Sequence, residues 1–164
     1  MQKKWALLGV TLALAAGTAA AADLDCSVKG GLQFTPGVEV IKAMRSYTGA
    51  DGQTHVEQID VKGKTARYFH DKTVLTQFDL GAPERAVIVY GHPNMEIPQH
   101  PAPYPEKFLI IAGSSTMTLP SGEVYHLEPG TLFIAEDTTG TGRSGAAGPC
   151  GYVAVDFQYK KEAR

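Results

Sequence analysis

From residue 23 onward the chain is a succession of short β-type runs, and no segment carries the 3.6-residue apolar period of an amphipathic helix. Turn dipeptides such as Asp51-Gly52 and Pro129-Gly130 separate these runs. Short strands at close spacing, with turns between them, are typical of sandwiches and barrels. The predicted strands are 38–44, 55–61, 74–80, 86–90, 108–112, 115–119, 124–127, 132–135 and 152–159.

Three connecting segments carry irregular or turn chemistry. Residues 46–52 lead into the Asp-Gly turn. Residues 93–105 are rich in proline, which has no amide donor for a sheet or helix, and are expected to form an irregular loop. Residues 137–148 are rich in glycine and threonine and are expected to form another.

The N-terminal segment has the organisation of a secretory signal peptide. Lys3 and Lys4 precede an apolar stretch of about a dozen residues, too short to span a bilayer as a stable anchor. The alanines that follow fit a cleavage site between Ala22 and Asp23. We therefore predict a signal peptide over 1–22, a single domain over 23–164, and a periplasmic or secreted location without a membrane anchor.

The charge balance of the mature chain argues against nucleic-acid partners. Loss of Lys3 and Lys4 with the signal leaves 13 basic and 17 acidic residues, a net charge of −4. Proteins that bind nucleic acids or anionic membranes usually show a basic patch. The chain also has no P-loop or dinucleotide-binding fingerprint, so no nucleotide cofactor is expected.

The chain has two cysteines, Cys26 and Cys150. In an exported domain an even number of cysteines predicts a disulfide, and neither lies in a Cys-x-x-Cys redox motif. A Cys26–Cys150 bridge would tie the N-terminal segment to the region of the last strand.

A cluster of side chains around the proline-rich segment has the composition of a metal site. His92, His100 and Glu106 lie within fifteen residues. If Glu106 faces the interior, strand alternation places Phe108, Ile110 and Ala112 on the same face. Imidazoles with one carboxylate suit Fe, Mn, Ni or Zn. The alternative is that these residues are exposed in a loop.

Several motifs resemble those of the cupins. Glu106, six residues and Gly113 match the end of the first cupin motif, G-x5-H-x-H-x3,4-E-x6-G, and His100 lies near its second histidine. Segments 47–55, 100–103, 122–130 and 135–142 resemble a branch of single-domain bacterial cupins with H-P-A-P and E-D-T-T-G-x-G motifs. The resemblance covers roughly residues 45–157. It implies an all-β, double-stranded β-helix (jelly-roll barrel), often a homodimer, with any site in the barrel mouth.

Two positions depart from the motifs of that family. Pro98 replaces the first histidine of the H-x-H pair, and Arg143 stands where the branch has histidine. Arginine offers only donors and is not a metal ligand, but it binds carboxylates and phosphates well. Arg143 is expected to be either such an anion clamp or a solvated loop residue.

Two functions are therefore predicted side by side. The first is a metal-dependent enzyme acting on a small organic substrate, with His100, Glu106 and His92 as ligands of one divalent ion. The second is a non-catalytic barrel that has lost the metal and binds an anionic small molecule through Arg143, His100 and Tyr104. A structural or partner-binding barrel with a filled interior is a third reading.

Overall fold

A computed structural model describes residue 26 and residues 39–68 and 73–160. The predicted signal peptide over 1–22 and its cleavage site lie outside these residues. Within the described residues no helix is long and apolar enough to cross a membrane.

The described part of the chain is all-β, as predicted. Its nine strands are β1 (Val40–Thr48), β2 (Thr54–Tyr68), β3 (Thr73–Phe78), β4 (Arg85–Gly91), β5 (Glu96–His100), β6 (Glu106–Thr118), β7 (Val124–Leu127), β8 (Leu132–Ala135) and β9 (Arg143–Gln158).

The strands form one mixed sheet with the order β3-β2-β1-β8-β6-β9-β4, in which β5 also pairs with β9 and β7 with β6. The pairs are antiparallel except β1 with β8, which are parallel. The hydrogen bonds of the described strands do not close this sheet into a barrel, and the arrangement is compatible with a jelly-roll type of fold. The parallel pair brings Ser46 at the end of β1 beside Ala135 at the end of β8.

Three predicted loop boundaries were wrong. Strand β1 continues through residues 46–48, and β9 already begins at Arg143. In the proline-rich segment, residues 96–100 form β5, which pairs with β9 through a shift of register between Ile97 and His100. Pro98 lies within that shift, where a strand tolerates a residue without an amide donor.

Strand β6 explains which part of the predicted face alternation holds. Glu106, Phe108 and Ile110 all line the interior, as expected. Ala112 does not share this face, because the register with β9 shifts between Ile110 and Ala112. A second shift follows Gly113, after which Ser115 and Met117 line the interior again. A single bulge inverts the alternation beyond it, whereas the two irregularities together interrupt the alternation across residues 110–115.

Two apolar clusters lie on opposite faces of the sheet, since neighbouring residues of β8 belong to different clusters. The inner cluster includes Ile110, Met117 and Phe133. The outer cluster is smaller and consists of Ala43, Leu132 and Ile134, with Leu80 packed against it. Strand β8 is buried along its whole length because it contributes to both.

The predicted disulfide is present. Cys26 and Cys150 are bonded, with 5.5 Å between their Cα atoms. This distance is ordinary for a disulfide. A disulfide that closes so long a loop is typical of proteins that fold in a non-reducing, extracellular-type environment.

Candidate functional site

A cavity of about 160 Å³ lies on the inner face of the sheet. Strands β5, β6, β7, β8 and β9 contribute to its wall. Most of the wall is apolar, and its charged or titratable side chains are His100, Glu106, Arg143 and Tyr152. An apolar cavity with a few converging polar groups is the usual form of a small-molecule site.

Among the described residues that line this cavity, one is a lysine or arginine, namely Arg143. Its side chain is fixed by Asp137, which does not line the cavity. Its guanidinium is buried, with 7% of the residue exposed. Nη1 donates to both carboxylate oxygens of Asp137 at 2.7 Å. The Cζ atom lies 5.1 Å from the ring centre of Phe133, a cation–π distance. Arg143 is therefore a fixed interior side chain and not a solvated loop residue.

Asp137 is the centre of this network and is completely buried. Besides Arg143, Ser46 Oγ donates to its Oδ1 at 2.7 Å and Thr54 Oγ1 to its Oδ2 at 3.2 Å. The donors come from β1, β2 and β9. A buried carboxylate is stable when it is paired and hydrogen-bonded in this way.

A close backbone approach sets Arg143 beside His100. Gly142 has a positive φ of 69°, and a Cβ there would lie 2.1–2.2 Å from the backbone carbonyl of His100. Glycine is the residue that fits so close a contact. Arg143 is then the register partner of His100. His100 Nδ1 donates to the carbonyl of Pro98 at 2.6 Å, which leaves Nε2 as its acceptor when the ring is neutral.

Glu106 faces Arg143 without a hydrogen bond between them. Its Oε1 is 3.6 Å from Arg143 Nη2, which is longer than a charge-assisted hydrogen bond. Burial is the main cause that raises the pKa of Glu106 to about 7, and the Asp156 carboxylate adds to it while Arg143 opposes it. Glu106 is therefore a carboxyl group that changes charge near neutral pH.

Asp156 is a second buried carboxyl group of the interior. It shares the inward face of β9 with Ala154 and is the register partner of Phe108 on β6. Gln158 Nε2 donates to its Oδ2 at 2.7 Å, whereas its buried Oδ1 has no hydrogen-bond partner among the described residues. Burial raises the pKa of Asp156, and the hydrogen bond from Gln158 opposes this shift.

The structure brings together some of the predicted site residues. Arg143, His100 and Glu106 share the cavity wall. Tyr104 does not line the cavity. Burial is the main cause that raises the pKa of Tyr104, and the nearby carboxylates of Glu106 and Asp156 add to the shift. His92 is exposed and packs edge-on against Tyr90, with 5.0 Å between ring centres.

The predicted metal set does not fit what surrounds Glu106. His92 is absent from the cavity wall, and the permanent charge of Arg143 lies beside the carboxylate that would bind the ion. Across residues 39–68 and 73–160, no three His, Cys, Asp or Glu side chains are grouped to hold a metal. We therefore derive no chemistry through a metal here, and metal binding stays a prediction.

Sequence reasoning did not find Asp137 or Asp156 as interior groups. Asp137 begins the segment that was predicted as a glycine- and threonine-rich loop, yet its side chain bonds to residues of three strands. Asp156 did leave a signal, because it is a charged residue within the apolar run 153–157. A charge at an inward position of a strand marks a polar group in the core.

Comparison with known proteins adds no family: no family model and no curated protein matches this chain. The resemblance to cupins therefore stays a prediction from the motifs.

Proposed function

We propose that this chain is an exported protein of the periplasm or the extracellular space whose jelly-roll domain binds a small anionic molecule in its interior. The observation that carries the proposal is the free edge of the Arg143 guanidinium. Asp137 engages Nη1, while the contact of Nη2 with Glu106 at 3.6 Å is too long for a hydrogen bond. A donor on the wall of an apolar cavity is thus available to an acceptor on a ligand.

His100 supports the same function from the neighbouring strand. It lies on the cavity wall, and its ring is oriented by the bond from Nδ1 to Pro98. With Nδ1 engaged, the second ring nitrogen, Nε2, remains for a polar group of the ligand. Tyr104, predicted as a third ligand residue, lies outside the cavity wall.

Ligand screening of the mature protein tests this proposal. Small carboxylates, phosphates and sugar acids are added in a thermal-shift assay, and hits are measured by calorimetry. We expect at least one of these anions to raise Tm, because a ligand that binds the folded state alone stabilises it.

Arg143→Lys is the variant that tests the mechanism. Lysine keeps the charge beside Asp137 but lacks the second nitrogen that faces Glu106. We expect it to weaken binding of the hit by about tenfold or more, whereas Arg85→Lys, at an exposed position on β4, leaves binding unchanged. No hit among the anions, or equal binding by Arg143→Lys, would refute the proposal.

The metal-dependent enzyme is the other function predicted from sequence, and metal analysis tests it directly. The protein is purified after growth with Fe, Mn, Ni and Zn, and its metal content is measured. A content near one equivalent that falls with His100→Ala would support it. A content below about a tenth of an equivalent would exclude it.

A further inference from the structure

We infer that the ligand is a compact monocarboxylate with an apolar body about the size of a benzene ring, and that Asp137 makes the site reject doubly charged anions. The inference rests on the proposed function and specifies the ligand class of the same cavity.

The cavity volume limits the size of the ligand. The space measures about 160 Å³. An engineered apolar protein cavity of about 150 Å³ binds benzene and stays dry when empty. A ring of roughly six carbons, or a branched chain of similar volume, therefore fills this space.

The wall favours an apolar ligand body. The rest of the cavity wall comes mainly from aromatic and aliphatic side chains, namely Phe108, Ile110, Met117, Leu127 and Phe133. Burying an apolar ring against them stabilises the complex in proportion to the apolar surface removed from water. A sugar-like ligand would leave its hydroxyl groups without partners along these side chains.

The charges around Arg143 limit the head group to one negative charge. Arg143 is the one lysine or arginine among the described residues of the wall, and its positive charge is already balanced by Asp137. Glu106 and Asp156 are further acidic groups of the same interior, and His100 is the titratable base beside Arg143. A single carboxylate can accept from Nη2, but a second negative charge would find no second lysine or arginine among these wall residues and would face these acids.

Asp137 acts as a positioning and charge-selecting residue, because it does not line the cavity itself. Its bonds to Ser46, Thr54 and Arg143 fix the guanidinium so that one nitrogen remains for the ligand. Its negative charge lowers the net positive potential that a dianion would need. Like charges placed together are unfavourable and exclude wrong partners.

A matched set of probes separates these requirements. Calorimetry at neutral pH compares benzoate, phthalate, benzamide and biphenyl-4-carboxylate. We expect benzoate to bind about tenfold or more tightly than phthalate, which adds a second charge to the same ring, and than benzamide, which lacks the charge. Biphenyl-4-carboxylate should bind more weakly than benzoate, because its second ring exceeds the space of about 160 Å³.

Each departure from this order has a defined meaning. Phthalate or succinate binding as tightly as benzoate would overturn the charge argument while leaving anion binding intact. Tight binding of biphenyl-4-carboxylate would overturn the size argument. If no anion of any class binds, the proposed function itself fails.

Asp137→Asn tests the role of this residue. Asparagine keeps the shape and one acceptor but removes the charge, so we expect the preference for benzoate over phthalate to shrink. Glu136→Gln removes the same charge from the adjacent exposed position and should keep the preference. Unchanged selectivity in Asp137→Asn would overturn the role assigned to Asp137.

Should Asp137→Asn fail to fold, Glu106→Gln removes a carboxyl group that faces Arg143 without a hydrogen bond to it. We expect this variant, too, to show a smaller preference for benzoate over phthalate. A preference equal to that of the unmodified protein would contradict the charge argument.

Discussion

The interior holds buried acids in two different states. Asp137 receives hydrogen bonds from three donors and pairs with Arg143 through both carboxylate oxygens. Glu106 and Asp156 lie on the neighbouring strands β6 and β9 and have fewer partners. Glu106 has an ion-pair contact with Arg143 at 3.6 Å, and Asp156 accepts a single hydrogen bond, from Gln158 to its Oδ2.

The difference shows how this fold treats a buried acid with partners and a buried acid without them. The cost of burying a charge is offset when partners surround it, as around Asp137. Where partners are missing, burial raises the pKa: to about 7 at Glu106, and in the same direction at Asp156. Groups that change charge near neutral pH are characteristic of functional sites.

The largest effect is expected at the fully paired acid. Asp137→Ala leaves Arg143 buried without its carboxylate and removes the acceptor of Ser46 and Thr54. Breaking a buried ion pair in this way costs about 3–5 kcal/mol of unfolding free energy. Urea unfolding of the disulfide-bonded protein measures the loss.

Glu136→Ala is the matched control for that measurement. Glu136 is exposed and pairs with Arg45 at 2.7 Å on the surface. Exposed pairs contribute about 1 kcal/mol or less. Equal losses in the two variants would show that Asp137 is no more important to the fold than its exposed neighbour.

An intermediate effect is expected for Glu106, and it depends on pH. Its pKa is raised in the folded state from 4.5 to about 7, so the folded protein binds more protons than the unfolded chain between these values. The stability contributed by protonated Glu106 is complete below pH 4.5 and is lost as the pH rises to about 7. The shift corresponds to roughly 3 kcal/mol.

Glu106→Gln removes this dependence. As the pH rises from 4.5 to 8, the variant should become more stable relative to the unmodified protein. Urea unfolding at each pH measures this difference in unfolding free energy. Glu128→Gln, at an exposed position, provides the comparison and should show no such trend. A pH-independent difference for Glu106→Gln would mean that the carboxyl is not perturbed by the fold.

The smallest effect is expected from Asp156→Asn, on the pKa of Glu106. The Asp156 carboxylate is the second cause that raises the pKa of Glu106, after burial. Asp156→Asn should therefore move the titration of Glu106 to lower pH without returning it to the value of an exposed glutamate. NMR titration of the side-chain carboxyl carbon follows this change, and a shift to higher pH would contradict it.

The pattern of the sequence predicts much of this fold. Strands β7 and β8 occur at the residues predicted, and Glu106, Phe108 and Ile110 share a face because strand alternation is a local property. The proline-rich segment was misjudged because its pairing with β9 is made by a distant strand. Proline restricts a strand but does not prevent an irregular edge pairing.

What the sequence alone determined is therefore the all-β class, most turns, the Cys26–Cys150 bridge as the one pairing two cysteines allow, and the candidates Arg143, His100 and Glu106. The tertiary structure decided how the charges meet. Ser46 and Asp137 are 91 residues apart and come together because β1 and β8 pair in parallel. Periodicity tells which way a side chain faces, but strand order and register decide which side chain it then meets.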